Sequence, residues 1–509
     1  MLKRWLPSLL GLGGIAIAGR LLGFIRDALM AAEFGVTDAT DAYLTSYLIM
    51  DILIAANAAV LAGTLSYFGQ QERGMINDRK GIQKFTLNVF IVSAAIILLT
   101  GVLLNYVLTL SAVSYPEYNY IFKLSADVLL LAAPFLIVSG IYSAIHQMSG
   151  EMLLPGKLNI FMNVLAIISI VILKDSFGVI SIPLGLLIGV IVFHFYQIFH
   201  PSLKKVFSPG TSGFSIKVSV WIGIVLLIFL NSFLANIVGF IERYFSLQLA
   251  KGTFSYYSYA SRLFLLPLSF FGYAISTSLL PFQVKAKSEG DTSLFNETLS
   301  KGLTAAVIGA GFCFLIFFTL NDSIVKLVYE RGEISVNDSK IISGLLLILS
   351  VGVFPYLISP VIGNTYYALG LTKYMVINGV ITIAAQTGLL LLFTGYFLDG
   401  RALAISSAAI SWFSFFNLVL FLIRRKVVCI DKSLLRRFYF LVLLIGLLAL
   451  FVKYLIREYI SSLIVSDIGN FIYLAVAGLV LLVIFMVVVS LVFKKSLPDL
   501  LSLLGKKKN

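Results

Sequence analysis

Several charged side chains lie inside apolar stretches of this 509-residue chain, and these residues are the best suited to chemistry. A charge at the centre of a bilayer costs at least about 2.5–3.5 kcal/mol, so such a group usually faces a protein interior or a wet cavity. The planar guanidinium of arginine donates a fork of hydrogen bonds and stays ionised when partly desolvated, which suits it to phosphate. The candidates are Arg20, Arg26, Asp27, Asp51, Asp127, Glu242, Arg243 and Arg262.

The intramembrane arginines have two interpretations. In the first they line a cavity and bind an anionic substrate; in the second they pair with neighbouring carboxylates and hold helices together, or extend to the membrane surface. On one helix, Arg20 and Asp27 fall on nearly the same face, whereas Arg26 is rotated from Arg20 by about 240°. The balance of charge is neutral to slightly positive, which favours an anion over a simple cation. This balance compares four arginines with three carboxylates: Arg20, Arg26, Arg243 and Arg262 against Asp27, Asp51 and Glu242.

The sequence favours neither an enzyme nor a metalloprotein. Cys313 lies in an apolar run and Cys429 in a basic loop, which argues against a disulfide framework or a cysteine metal cluster. The three histidines lack metal-ligand spacing, and no loop is large enough for a soluble active site. Neither a cofactor nor a metal is therefore expected. The polar clusters 330–333 and 399–401 are interpreted as solvated loop charges.

Composition places these residues in a membrane protein. Hydrophobic residues make up 59% of the chain and charged residues 12%, with a mean hydropathy of +1.00, whereas a soluble domain carries about 25% charged residues. Roughly 20 apolar residues cross a bilayer as a helix. The apolar runs predict an all-α integral membrane fold of about fourteen crossings, near 8–33, 41–68, 83–110, 122–147, 158–173, 178–198, 218–246, 256–284, 302–320, 341–368, 372–397, 401–424, 437–456 and 469–493.

The basic residues behind the formal charge of +14 lie where the predicted membrane topology places cytoplasmic loops. Lys and Arg concentrate in short loops between apolar runs, a pattern of membrane topology and lipid contact rather than of nucleic-acid binding. With both termini cytoplasmic, roughly 25 of these residues fall inside and roughly 9 outside. The strongly basic inner segments are 73–84, 204–217, 285–301, 424–437 and the tail 494–508.

An internal repeat divides the chain. Gly23–Asp27 in the first helix recurs as Gly239–Arg243 in the seventh, and Asp41–Leu44 corresponds to Tyr257–Ala260 at the start of the following helix. Six helices separate the copies, so both have the same orientation, as in a parallel repeat. The sequence therefore predicts two pseudo-symmetric six-helix lobes; in the substrate-binding interpretation of the arginines, these residues line a central cavity. The expected domains are 1–200 and 201–430, followed by helices thirteen and fourteen with a basic cytoplasmic tail in 431–509.

Several motifs carry a family resemblance. Gly19–Asp27, followed by Phe34-Gly35 and Thr40–Tyr43, resembles the first-helix signature of the MurJ/MviN family of lipid-linked oligosaccharide flippases. Later pieces resemble the same family in the same order through helix twelve: Tyr259–Leu263 with Pro267, Leu279–Pro281, Tyr329–Gly332 and Ala368–Lys373.

The resemblance implies a function and a set of residues. Family members move lipid II, the undecaprenyl-pyrophosphate-linked peptidoglycan precursor, from the inner to the outer leaflet of the bacterial inner membrane by alternating access. By resemblance, Arg20, Arg26 and Arg262 would bind the headgroup and Asn163 would be a polar cavity contact. Their gating or charge partners would be Asp27, Asp41, Asp51, Glu242 and Arg243. The last two helices would form a groove for the lipid tail, and membrane lipids and cell-wall synthesis proteins would be partners.

Two departures from the family pattern keep other cargoes open. Gly19 stands where the family usually has Ser, and 49–54 contains Asp51 where the family has a basic, asparagine- and arginine-rich stretch. A smaller or differently charged headgroup, such as an O-antigen or exopolysaccharide repeat unit on a polyprenyl carrier, is the main alternative. A drug/cation antiporter of the same general fold and a scaffold without transport activity are the others.

Overall fold

The structure is a computed structural model that describes residues 2–69, 79–110, 116–206, 217–424, 432–455 and 467–492. These residues form helices and contain no β-strand. The helices are α1 (Leu2–Phe34), α2 (Asp38–Gly69), α3 (Arg79–Leu110), α4 (Pro116–Leu131), α5 (Ala133–Met148), α6 (Leu158–Phe177), α7 (Ser181–Phe199), α8 (Pro201–Val206), α9 (Val218–Ser246), α10 (Thr253–Ser288), α11 (Thr292–Tyr329), α12 (Val336–Ser350), α13 (Val353–Ala368), α14 (Thr372–Thr394), α15 (Arg401–Arg424), α16 (Lys432–Leu455) and α17 (Asp467–Val492).

Each predicted crossing corresponds to one helix or one broken pair of helices. Eight stretches of the described chain are long and apolar enough to span a bilayer, and the bent pair α12–α13 makes a ninth. One stretch, Pro155–Phe199, contains two predicted crossings, α6 and α7. The remaining predicted crossings are α9 and α16, each with a shorter apolar segment, and α1 and α10, whose sequences contain charged and polar residues. The predicted all-α, multi-pass membrane fold is confirmed.

Several predicted features fall outside the described residues. The tail 494–508 and Cys429 belong to this group, as do parts of the basic loops 73–84, 204–217 and 424–437. The predicted lobe boundary at residue 200 also stays a prediction. The described chain forms two compact units, Met1–Tyr244 and Phe245–Asn509, and each is treated below by itself.

The core of the first unit gathers aromatic and aliphatic side chains from several helices. Trp221 of α9 packs edge-on against Phe85 of α3, with ring centroids 5.1 Å apart, and its indole nitrogen donates to Thr64 Oγ1 at 3.0 Å. Indole and phenol side chains need a polar partner when they are buried. The backbone nitrogen of Lys217 supplies one for the hydroxyl of Tyr67 at 2.9 Å. One end of α9 is therefore fixed to α2 by specific bonds as well as by apolar packing.

Small residues allow α6 and α7 to pack closely. A Cβ on Gly185 would lie 2.5 Å from the Cα of Ala166, and one on Gly189 would lie 2.6 Å from the Cα of Met162. Real Cβ atoms do not approach that closely, so these positions require glycine. Such contacts are typical of membrane helices, which associate through van der Waals packing of small residues rather than through the hydrophobic effect.

The second unit contains a span that bends by 46° between α12 and α13. Pro355 lies in the first turn of α13 and has no N–H to donate to the carbonyl of Val351, four residues earlier. Trp412 of α15 donates its indole N–H to that carbonyl at 2.9 Å. Freed backbone groups in a membrane need such a partner because lipid tails offer none.

The last two helices, α16 and α17, pack on α11 in the same unit. A Cβ on Gly311 would meet Ile445 of α16 at 2.5 Å and Phe485 of α17 at 3.2 Å. Polar bonds supplement this contact: Lys453 Nζ donates to Asn321 Oδ1 at 3.2 Å, and Asn470 Nδ2 donates to the carbonyl of Ser323 at 3.1 Å. These bonds were not predicted from the sequence.

Candidate functional site

Two charged side chains singled out in α1 form a buried ion pair. Arg26 and Asp27 are each 2% exposed. Nη2 and Nε of Arg26 both donate to Oδ1 of Asp27, at 2.8 and 3.1 Å. Tyr47 of α2 completes the cluster, since its hydroxyl accepts from Arg26 Nη1 at 3.3 Å and its ring centroid lies 4.9 Å from the guanidinium carbon. The guanidinium is thus neutralised by one carboxylate and stacked on one aromatic ring.

A second buried arginine lies near the other end of α9. Arg243, 4% exposed, places Nη1 3.5 Å from Oδ2 of Asp41, near the start of α2. Its Nη2 donates to the hydroxyl of Tyr118 at 2.8 Å, and its guanidinium carbon lies 5.2 Å from the Tyr118 ring centroid. The Tyr118 hydroxyl in turn donates to Thr45 Oγ1 at 2.8 Å. One guanidinium therefore joins α9 to α2 and α4.

The two clusters contain the same types of residue. Each contains an arginine, a carboxylate and a tyrosine that offers both its hydroxyl and its ring. Within the repeat, Asp27 and Arg243 occupy equivalent positions, so the charge is reversed between the two copies. The resemblance predicted Asp27 and Asp41 as charge partners, and both lie against arginines.

Asn163, predicted as a polar cavity contact, lies between α6 and α1. Its side chain is buried, and Nδ2 donates to the carbonyls of Gly19 and Asn159 at 3.1 and 2.8 Å. A Cβ on Gly19 would lie 3.1 Å from the Cβ of Asn159, which is a tight approach. The glycine that departs from the family pattern at position 19 therefore allows α1 to lie close to α6. A contact between Asn163 and substrate stays a prediction.

The remaining predicted site residues are more exposed to solvent than the arginines of these two clusters. Arg20 is on an exposed face of α1, whereas Asp51 of α2 and Glu242 of α9 are half-buried. Arg262 belongs to α10 in the second unit and is also half-buried. No group of three or more His, Cys, Asp or Glu side chains in the described ranges is arranged to hold a metal ion.

Sequence reasoning missed both tyrosines of the clusters. Tyr47 had a usable signal, because it follows Tyr43 by four residues and precedes Asp51 by four, which places all three on one face of α2. Tyr118 had none. It lies 125 residues before Arg243, and only the packing of α4 against α2 brings it there.

A family model described as lipid II flippase MurJ matches residues 30–474. The chain belongs to the lipid II flippase MurJ family. The match begins after the Arg26–Asp27 pair, but it includes Asp41, Asn163, Arg243 and Arg262. Because the family is one of transporters, the buried charges are best considered in terms of binding and movement.

Relatives and solved structures extend the match over nearly the whole chain. A probable lipid II flippase MurJ from Buchnera aphidicola subsp. Schizaphis graminum is 23% identical over 94% of this chain and 96% of its own length. Another from Aquifex aeolicus is 26% identical over 71% of this chain and 72% of its own length. A structure of the lipid II flippase MurJ in an inward closed conformation has a TM-score of 0.76 at 20% identity, covering 95% of this chain and 99% of its own.

The fold is also shared with multidrug transporters. An inward-facing MATE family transporter of the MOP superfamily has a TM-score of 0.63 at 15% identity, over 80% of this chain and 94% of its own. At this identity the likeness concerns the fold alone.

Proposed function

We propose that this protein is a flippase that moves a lipid-linked peptidoglycan precursor, lipid II, across the membrane by alternating access. The observation that carries the proposal is the buried Arg26 cluster, since an ionised guanidinium in a membrane-length helix is a costly feature that needs a purpose. The family relationship supplies the substrate class. Both six-helix lobes, 1–200 and 201–430, belong to this proposal, with helices α16 and α17 serving the lipid tail.

Asp27 acts in this proposal as a stand-in for the substrate phosphate. Arginine has five N–H donors, and two of those on Arg26 converge on a single carboxylate oxygen. A pyrophosphate oxygen would accept the same pair of bonds, so substrate entry would exchange one anion for another. The guanidinium would keep a counter-charge throughout the exchange, while Asp27 would have to gain another partner or water as the phosphate took its place.

No bond is made or broken by a flippase. The protein lowers the free energy of moving a charged headgroup through hydrocarbon while the polyprenyl tail stays in lipid. Substrate shifts the balance of inward and outward states only by its differential affinity for them. Direction would come from the membrane potential, an ion gradient or removal of the product outside.

The proposed location is the bacterial inner membrane, with both termini cytoplasmic. The excess of Lys and Arg in the loops assigned to the inside supports this orientation.

The test uses a strain depleted of its own lipid II flippase. Expression of the full chain should restore outer-leaflet lipid II accessible to an impermeant probe, and with it cell growth. The variants Arg20→Gln, Arg26→Gln and Arg262→Gln should each reduce flipping. Lys285→Gln is the matched control because Lys285 lies on the same helix as Arg262 but is 68% exposed in its side chain. Intact flipping in all three arginine variants would refute their role in headgroup binding.

A flippase for another polyprenyl-linked glycan is the second candidate. Asp51, half-buried on α2 where the family pattern is basic, is the observation in its favour. Failure of a correctly inserted chain to restore lipid II would favour this candidate. Sodium- or proton-coupled drug efflux from vesicles would instead favour an antiporter. Complementation by the arginine variants, but not by surface-loop variants, would favour a scaffold that recruits cell-wall synthesis proteins.

A further inference from the structure

Two histidines of the first unit share one serine hydroxyl at the place where α5 and α7 end and α8 begins. Nδ1 of His146 lies 2.7 Å from Oγ of Ser202, and Nδ1 of His200 lies 2.8 Å from the same oxygen. The two imidazole rings meet edge-on, with centroids 5.4 Å apart. His146 is fully buried, Ser202 is buried and His200 is half-buried. In the proposed topology this junction lies at the cytoplasmic end of the helices.

The hydrogen bonds of the junction determine where its protons lie. The carbonyl of Gln197 can only accept, so Nε2 of His146, 3.1 Å away, carries a hydrogen. In a neutral imidazole Nδ1 is then bare, and it accepts from the Ser202 hydroxyl, which has one hydrogen to give. The contact between Ser202 Oγ and His200 therefore needs a hydrogen on Nδ1 of His200. The backbone N–H of Ser202 donates to that same Nδ1 at 3.4 Å, which needs a bare nitrogen.

Two neutral histidines therefore cannot satisfy every contact of the junction, whichever tautomer His200 adopts. One added proton removes the conflict. With Nδ1 of His146 protonated, that nitrogen donates to Ser202 Oγ, and the Ser202 hydroxyl and backbone N–H can both donate to His200. A second proton would direct two cationic rings, with centroids 5.4 Å apart, at one hydroxyl oxygen. The geometry is that of a coupled pair that takes up a single proton.

The ends of two helices favour a positive charge at this place. His146 lies in the last turn of α5, and its ring donates to the Gln197 carbonyl in the last turn of α7, for which His200 is the C-cap residue. Helix C-termini carry partial negative charge and stabilise a protonated histidine. Glu151 follows α5, its backbone nitrogen donates to the carbonyl of His146 at 2.9 Å, and its carboxylate interacts electrostatically with His146.

Burial of His146 and neighbouring cations act in the opposite direction. Lys157 donates to the Tyr196 hydroxyl at 2.9 Å, and the Tyr196 ring lies 5.6 Å from that of His200. Lys84 of α3 is exposed, so water and salt screen its charge. The inner half of α2, 52–69, contains no charged residue. The other basic residues of the elements packed on α5 at this end are Arg79 and Lys80 in α3 and Lys204 and Lys205 in α8. These cations oppose a second proton more strongly than the first.

From these observations we infer that His146, Ser202 and His200 form a proton-binding site that tightens the contact of α8 with α5. The bond from a protonated His146 to Ser202 is charge-assisted, and such bonds are roughly twice as strong as neutral ones. Leu203, the next residue, is buried in the same apolar cluster as Ile145 of α5, so the stronger bond holds this segment on the helix. The site would make the cytoplasmic end of the first unit sensitive to internal pH, whatever cargo the protein carries.

Ring-¹⁵N-labelled histidine reports this site directly, because the full chain contains three histidines. The full-length protein in detergent micelles is titrated from about pH 8 to about pH 5, the range in which histidine changes charge, and His146→Gln, His194→Gln and His200→Gln assign the signals. We expect the rings of His146 and His200 to change with one shared midpoint and to take up one proton between them. His194 contacts Ser139 Oγ at 3.1 Å and serves as the internal reference. Separate midpoints, two protons, or a His146 ring that stays neutral throughout would overturn the inference.

Serine variants test the shared hydroxyl. Ser202→Ala should give the two rings separate midpoints, and Ser202→Thr, which keeps a hydroxyl, should restore the shared one. Ser149→Ala is the matched control, because the Ser149 hydroxyl donates to the carbonyls of Ile145 and His146 and lies at the same end of α5. It should leave the titration unchanged. A shared midpoint in Ser202→Ala would refute the role of the hydroxyl, and the wild-type titration decides the inference if that variant does not fold.

A cysteine in α8 tests the tightening. The maleimide labelling rate of Leu203→Cys, made with Cys429→Ser, is divided by that of Phe199→Cys in the same background, so that the effect of pH on the thiol cancels; Phe199 is 77% exposed. The ratio should fall about fivefold from about pH 8 to about pH 5.5 and should stay constant when Ser202→Ala is added. A constant ratio without Ser202→Ala would refute the tightening. Neither assay uses lipid II, so this inference and the proposed flippase activity fail separately.

Discussion

Replacing Asp27 by Asn removes the negative charge from the buried Arg26 pair and should destabilise the protein strongly. Both residues are 2% exposed, so water does not replace the lost carboxylate. Breaking a buried ion pair by removing one partner costs about 3–5 kcal/mol. Tyr47 remains within 3.3 Å of Arg26 Nη1, and the new amide oxygen still accepts a hydrogen bond. We therefore expect a cost near the lower limit, about 3 kcal/mol, or more than a hundredfold in the folding equilibrium.

The measurement is reversible unfolding of the full chain by SDS titration in mixed micelles. The control is Glu297→Gln, because Glu297 pairs with Lys301 at 2.6 Å but is 56% exposed, and such pairs contribute about 0.3–0.5 kcal/mol. The double variant Arg26→Gln, Asp27→Asn should be more stable than the sum of the single effects predicts, since neither charge is then left alone. Equal costs for Asp27→Asn and Glu297→Gln, or strict additivity in the double variant, would refute the buried-pair reasoning.

Three further predictions concern a hydrogen bond at the helix break, the packing of two helices and an ion pair in a loop. Trp412→Phe should lower the free energy of unfolding by about 1–2 kcal/mol, because it leaves the Val351 carbonyl without its donor. Adding Pro355→Ala supplies a backbone N–H for that carbonyl and should recover part of the loss in the same unfolding assay. No recovery would contradict the role given to the Trp412 bond. Gly185→Val should prevent α6 from packing on α7 and abolish recovery of folded protein in detergent chromatography, whereas Gly379→Ala, where a Cβ meets nothing within 4 Å, should be recovered normally. Hydrogen bonds from Arg401 hold the pKa of Asp399 below its ordinary value, so the stability from this carboxylate is present above its unfolded-state pKa and is lost as the pH falls through its lowered pKa. Asp399→Asn should therefore melt below wild type at pH 7, and the difference should shrink as the pH falls below the ordinary aspartate pKa of about 3.9; a constant difference would exclude the ionised pair.

The sequence predicted where the helices lie but not which side chains join one helix to another. Apolar runs are long and their boundaries are marked by polar loops, so periodicity and length predicted a helix, or a broken pair of helices, at every apolar run. The break at residues 351–352 was not predicted, although Pro355 marks it, because the carbonyl that it frees is satisfied by a tryptophan 61 residues later.

The candidate site shows the same limit. The types of residue were predictable, since charges in apolar runs are rare and conspicuous. The neighbouring pair Arg26 and Asp27 was also visible, but the bond between Arg243 and Asp41 joins residues about 200 positions apart. A packed structure is needed to show which of several carboxylates meets a given arginine.

The bond from Trp412 to Val351 has a mechanical consequence. A proline break in a membrane helix is commonly a hinge, because the missing backbone bond lets the two halves swing. Here the free carbonyl is held by a third helix, so any swing of α12 relative to α13 must first detach α15. The bent angle is therefore stabilised by this one bond, and any movement that opens the bend carries the additional cost of leaving the Val351 carbonyl without a donor.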